Sequence, residues 1–218
     1  MAAKPEPIIR ELLARHGRLF AEEAGVKLAD RPAPLYQLLV LATLLSARIS
    51  ADIAVAAARE LFAAGYRRPA AMSEASWQDR VDALGRGHYR RYDERTATML
   101  GDAAALLSDR WHGDLRRLRD KAGGGAGGIA RLLTEFPGIG PAGASIFLRE
   151  VQGVWPSVVP YVDATMAGGA RRVGLPGHPG QLAELVAACD EPARLAAALV
   201  RVSLSGRAAG AVTAAVGD

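Results

Sequence analysis

Apolar residues recur at helical spacing along almost the whole chain, and apart from Val158-Val159 nothing reads as an alternating strand. A chain patterned this way buries its apolar stripes helix against helix, so the expected fold class is all-α. The spacing predicts helices over 8–18, 35–46, 51–64, 77–84, 95–111, 115–121, 129–135, 141–152, 164–173, 181–188 and 191–204. Arg31-Pro-Ala-Pro34 interrupts the pattern, and Gly65 stands where a helix C-terminus favours glycine. Ser73 is the expected cap of the helix that follows through Trp77. The run Gly123-Gly-Gly-Ala-Gly-Gly128 is expected to be a flexible joint, because so many glycines lose too much entropy in a helix.

Size and charge narrow the function classes. With 218 residues the chain can bury one substantial core or two small lobes. Its longest apolar run, 38–45, is too short to span a bilayer, and Met1-Ala-Ala-Lys-Pro-Glu6 has no apolar stretch ahead of a cleavage site. A cytoplasmic monomer with no membrane partner is therefore expected. Cys189 is the only cysteine, which excludes an internal disulfide and any metal site built on several thiolates. The four histidines are scattered and show no metal-ligand spacing. A net charge of +4 and a pI near 9.6 fit a nucleic-acid partner, and fit equally a slightly basic protein without one.

The most informative stretch is Leu133-Thr-Glu-Phe-Pro-Gly-Ile-Gly-Pro-Ala-Gly-Ala-Ser-Ile-Phe-Leu148. Two helices flank Pro137-Gly138-Ile139-Gly140, whose glycines admit backbone angles closed to other residues and leave amides bare. Pro141 suits the first turn of a helix, where its missing N–H is no loss. Free amides at such a start attract anions, so a DNA phosphate fits over Gly138, Ile139, Gly140, Ala142 and Gly143, with the Ile139 side chain tucked inward. Taken alone, the pattern is also that of an ordinary helical hairpin with a glycine turn.

With its surroundings, this stretch resembles the helix-hairpin-helix motif of the endonuclease III and adenine-glycosylase superfamily, including Ala144, Ile146 and Phe147 after the turn. Gly153-Val-Trp-Pro156 and then Val162-Asp163-Ala-Thr165 are similar to that family's short loop and essential aspartate, across a loop a few residues longer. Upstream, Leu41-Ala-Thr-Leu-Leu-Ser-Ala-Arg48 is similar to the family's buried helix ending in Leu-Leu-Ser-Ala-Gln, whose end points into DNA. The resemblance covers about 34–173 and is most specific over 136–163. It implies a two-lobed helical glycosylase fold. A barrel lobe would span 31–150 with the hairpin at 129–152, and 1–30 plus 151–218 would form the second lobe. Asp163 would face a cleft crossed by double-stranded DNA containing a damaged base or abasic site. No cofactor is expected, and the resemblance leaves room for a monovalent cation held by hairpin carbonyls.

Two departures from the family shape the expected chemistry. The iron–sulfur cluster of endonuclease III is held by cysteines, and Cys189 alone cannot hold it, so no cluster is expected. Bifunctional members carry a lysine two residues after the second hairpin glycine, where this chain has Ala142. An amine nucleophile would have to come from Lys4, Lys27 or Lys121, the only lysines present. What remains is hydrolysis, with Asp163 stabilising an oxocarbenium-like sugar and orienting or deprotonating water. The same aspartate also fits a helix N-cap.

Around this centre, Arg48 stands at the family's wedge-like position and is a candidate to fill the gap left by a flipped base. His88, Tyr89, Arg90 and Arg91, with Tyr92 beside them, mix rings and guanidinium groups that suit bases and phosphates, or a solvated loop with its own Arg–Asp network. Trp155 and Tyr161 suit the core, and Arg116, Arg117 and Arg119 a solvated helix face. Adenine-specific members carry an acidic residue near the position of Ala42, so a mispaired adenine is not expected here. The expected function is that of a monofunctional DNA N-glycosylase of base excision repair. A glycosylase/lyase with an unorthodox amine and a non-catalytic DNA-binding hairpin are the competing readings.

Overall fold

The computed structural model describes residues 5–217, and every regular element among them is helical. Helices α1 (Pro5–His16) and α2 (Phe20–Glu23) lead into α3 (Pro32–Leu45), which is buried on almost every side. Around α3, directly or through one another, pack α4 (Ala51–Ala63), α5 (Pro69–Glu74), α6 (Trp77–Arg86) and α7 (Asp93–Trp111). Then come α8 (Leu115–Lys121), α9 (Ala126–Leu133) and α10 (Pro141–Val151), the last of which lies against α3. The chain closes with α11 (Ala164–Arg172), α12 (Pro179–Ala188), α13 (Pro192–Leu204) and α14 (Gly206–Gly217). No single helix among the described residues is long and apolar enough to cross a membrane.

Two apolar clusters divide these helices. The larger one gathers residues from Ala21 to Val158, and the smaller joins Ile8 and Leu12 of α1 to α11, α12, α13 and α14. These two clusters, with the helices around them, are the larger and the smaller lobe. Ala21, Ala24 and Val26, and likewise Val151, Trp155 and Val158, belong to the larger core, because their side chains close it from the side of α10. Phe20 packs against both clusters. Helix α11 approaches α13 so closely that a methyl group on Gly169 would run into the Leu199 carbonyl.

Some local expectations are corrected. Helix periodicity misses α2 and α5, which are too short to show it, and α14, whose small residues carry little pattern. Ser73 lies inside α5. The cap of α6 is Ser76, whose hydroxyl accepts the Asp79 N–H at 3.1 Å while the Asp79 carboxylate accepts the Ser76 N–H at 3.2 Å. The glycine run is a joint only in its first half. Gly123 and Gly124 turn the chain at φ +73° and +76°, but Gly127 and Gly128 lie within α9. Burial of Ile129, Leu132 and Leu133 outweighs their poor helix propensity.

The buried guanidinium of Arg80 ties three helices of the larger lobe together. It donates to the carbonyls of Met72 (2.9 Å), Ala75 (2.7 Å) and Ala97 (2.9 Å), and no carboxylate pairs with it among the described residues. Replacing it with leucine leaves the Met72 and Ala75 carbonyls at the end of α5 without this donor, so Arg80→Leu is expected to cost about 3 kcal/mol. Thermal unfolding checks this, with a Tm lowered by roughly 6–12 °C for a chain of this size.

Candidate nucleic-acid interface and catalytic carboxylate

The hairpin is built from α9, the turn 134–140 and α10. Gly138 takes φ +85°, and a Cβ there would lie 2.9 Å from Thr43 Cγ2, so only glycine fits against the end of α3. The Ile139 N–H donates to the Phe136 carbonyl at 3.0 Å and its side chain is buried. Ile139 is thus a packing residue, not a contact residue. Gly143 is buried too, against Ile139 and Ser46. The amides of Gly138, Gly140 and Ala142 donate to no main-chain carbonyl among the described residues, and Gly140, Pro141 and Ala142 are exposed. Three N–H groups with no internal partner therefore converge at the start of α10, where the helix dipole also favours an anion.

Beside the turn runs a groove of about 620 Å³. Ser46, Arg48, Tyr92, Arg95, Gly138 and Gly140 are among the residues on its walls. Arg48 and Arg95 are exposed and enter no ion pair among the described residues. Of the loop before α7, Tyr89 is corrected to a core residue: its ring is buried, and its hydroxyl lies 3.3 Å from Thr96 Oγ1. Arg90 lines a separate hollow with Asp82 and Asp93. His88 and Arg91 remain exposed, His88 in the left-handed region at φ +63° and Arg91 over the Tyr92 ring at 5.3 Å. Arg95, which follows this ring-and-guanidinium cluster in the sequence, is also a groove residue.

The second cluster of polar groups lies where α10 meets α11. Asp163 caps α11, its Oδ1 accepting the Met166 N–H at 3.0 Å. Its Oδ2 lies 3.1 Å from Arg149 Nε, and the two side chains are only 14% and 12% exposed. Arg149 Nε also donates to the Ser145 carbonyl at 3.2 Å. Tyr161 is half-buried beside them, its hydroxyl 2.9 Å from Ser145 Oγ, and burial raises its pKa. No spacing rule links residue 149 to 163, so the pairing was invisible in the sequence. Trp155 is a core residue, edge-to-face with Phe147 and donating to Asp30 at 2.8 Å. Arg116 and Arg119 are tied to Asp114 and to Asp30 and Asp120, while Arg117 is exposed.

Next to Arg149, between the lobes, opens a cavity of about 310 Å³. Arg149, Glu150 and Thr165 contribute its polar groups, and Leu45, Ile146 and Val200 are among its apolar walls. Glu150 is wholly buried, and its two oxygens accept the Phe20 N–H at 2.6 Å and the Ala21 N–H at 2.9 Å. Lys27 and Lys121 are exposed and do not line this cavity; Lys4 lies outside the described residues. One cysteine cannot hold an iron–sulfur cluster, and no three His, Cys, Asp or Glu side chains gather to hold a metal among the described residues.

No family model matches the chain, and no curated protein matches it. A solved structure of a trapped endonuclease III–DNA covalent intermediate, an estranged-adenine complex, is similar to it. The similarity covers 88% of this chain and 83% of that one, with 19% identity and a TM-score of 0.49.

Two measurements test these assignments. Gly138→Ala meets both a forbidden φ and the Thr43 methyl, so it is expected to lose about 1–3 kcal/mol of stability. Gly140 has open space, so Gly140→Leu is expected to fold normally yet bind every DNA duplex roughly tenfold more weakly, in a titration whose affinities fall steeply with salt. Glu150 supplies a pH signature. Burial pushes its carboxyl up to about 7, against the two amides and the nearby Arg201 and Arg149, which pull it down. The folded state therefore holds this proton more tightly than the unfolded chain, and the contribution is lost as pH rises from about 4.5 to 7. In Glu150→Gln this part of the slope disappears, so the variant gains up to about 3 kcal/mol relative to the parent across that window in denaturant melts.

Proposed function

We propose that the chain is a monofunctional DNA N-glycosylase that hydrolyses the bond between a damaged base and its sugar. One observation carries the reading: Asp163, a capped and nearly buried carboxylate at the start of the helix after the hairpin, is paired with Arg149, which lines an apolar cavity. Phosphates of double-stranded DNA would be held by the Gly138, Gly140 and Ala142 amides, with Arg48, Arg95 and Arg91 alongside. The damaged nucleotide would turn out of the stack towards the cavity, and Arg48 would fill the gap it leaves.

In the chemical step the C1′–N bond breaks with its electron pair on the base, leaving positive charge on the sugar that Asp163 stabilises. Water then bonds to C1′, and its proton passes by way of Asp163 to the departing base. The product is an intact abasic site, which the protein also binds. Ala142 offers no amine, so no Schiff base forms, and neither cluster nor redox metal takes part. A monovalent cation at the hairpin would rest on main-chain carbonyls of the turn 134–140. The protein works as a monomer inside the cell.

An incision assay over a panel of lesion duplexes tests this, with and without alkali to cut abasic sites. Strand cutting is expected only after alkali. Asp163→Asn is expected to bind duplex like the parent and to release base at least about 100-fold more slowly. Borohydride should trap no enzyme–DNA adduct. An adduct that vanishes in Lys121→Ala would replace hydrolysis by lyase chemistry. Unchanged activity in Asp163→Asn would leave that residue only its cap.

A further inference from the structure

Asp163 does not stand alone in the cavity region, and its partner is the less expected half of the pair. Arg149 is 12% exposed in its side chain, yet only its Nε is engaged, by Asp163 and by the Ser145 carbonyl. Neither terminal amino group makes a hydrogen bond to a described residue, and Arg149 lines the interlobe cavity. A guanidinium carries five N–H donors, so four are left for whatever enters. The cavity's other charged group, Glu150, has both oxygens occupied by main-chain amides. Thr165 adds one hydroxyl, and the remaining walls are largely apolar. The space therefore offers donors in excess and almost no free acceptor. Its volume of about 310 Å³ stands at the small end of ligand pockets.

On the glycosylase reading, we propose that the terminal amino groups of Arg149 bind an exocyclic oxygen of an uncharged base turned into this cavity. Arg149 is then a catalytic residue that selects deaminated or other carbonyl-bearing bases over cationic alkylated ones. Bond breaking separates charge, positive on the sugar and negative on the departing base. An Asp–Arg pair has the same two signs, so Asp163 faces the sugar while Arg149 donates to the oxygen on which the base's new negative charge collects. The C1′–N electron pair leaves with the base, water supplies the new C1′–O bond, and the water proton ends on the base. A base whose edge presents N–H groups or a positive charge meets the guanidinium unfavourably.

The test uses the full chain and duplexes carrying a single deoxyuridine, deoxyinosine or N3-methyldeoxyadenosine. Base release gives kcat/KM for each, and a duplex with an uncleavable abasic analogue gives affinity. The parent is expected to release uracil or hypoxanthine at least about tenfold faster than N3-methyladenine. Arg149→Leu should lower that ratio by roughly 10- to 100-fold while affinity for the abasic analogue holds, and Arg149→Lys should restore part of it. An equal loss on all bases would make Arg149 a positioning residue acting only through Asp163, and would overturn the proposal. So would a parent that prefers N3-methyladenine, with the glycosylase reading intact. Because the parent's own order of preference decides this, the proposal stands or falls even if Arg149→Leu fails to fold. Absence of release from every duplex would instead sink the glycosylase reading itself.

Discussion

Helix α10 carries two adjacent ionisable side chains that are both withdrawn from water, and the relation between the lobes depends on how each is answered. A buried charge without a partner is among the costliest features a protein can hold. Glu150 is answered by the Phe20 and Ala21 amides at the start of α2, and Arg149 by Asp163 at the start of α11. Both answers come from segments at the edge of the larger core, one from each side. Phe20 adds a third tie, because its ring packs in both apolar clusters and under the Arg201 guanidinium at 4.1 Å. The hairpin helix thereby becomes the common element of the two lobes, and the carboxylate is held at a fixed distance from the turn 134–140.

The arginines separate into two populations, which explains why net charge says so little. Arg119, Arg194 and Arg201 are spent on acidic partners from other parts of the fold, and Arg116 on Asp114, the cap of its own helix. Arg80 is buried on carbonyls. Arg48 and Arg95 beside the turn, and the exposed Arg91 just before α7, have no such partner among the described residues and keep their charge exposed. A total of +4 hides this sorting. Only the placement of acids next to some arginines and not others reveals it, and that is a property of the packed chain.

Legibility in the sequence followed the range of the interaction. The helical period, the proline-glycine turn and the capping aspartate are local, and α3, α10 and Asp163 stand close to where residue spacing puts them. The Arg149–Asp163 contact spans a loop that includes a short 3₁₀ turn at Pro156–Val158, so no window along the chain contains its logic. Tyr89 shows the opposite error. It sits in a run of arginines and aromatics that reads as a surface loop, yet its ring fills the larger core, because the left-handed turn at His88 swings it inward. Gly127 and Gly128 mislead for a third reason: propensity is a weak prior, and three buried side chains on α9 overcome it.

On the proposed reading, the Asp163 site suits charge separation because its groups are fixed before any ligand arrives. One carboxylate oxygen is held by the Met166 amide and the other by Arg149, which is itself anchored on the Ser145 carbonyl. A carboxylate free to rotate in water must reorganise, with its solvent, as charge develops; one held by its own helix start does not, and the difference appears in the barrier. The apolar walls beside it act in the same direction, since lowering the local dielectric strengthens each fixed charge. The same low dielectric forbids either member of the pair from standing there alone. On the proposed reading, an aspartate serving such a step from a nearly dry position needs a permanent counter-charge, and Arg149, whose terminal amino groups bind no described residue, is also a group able to hold what leaves.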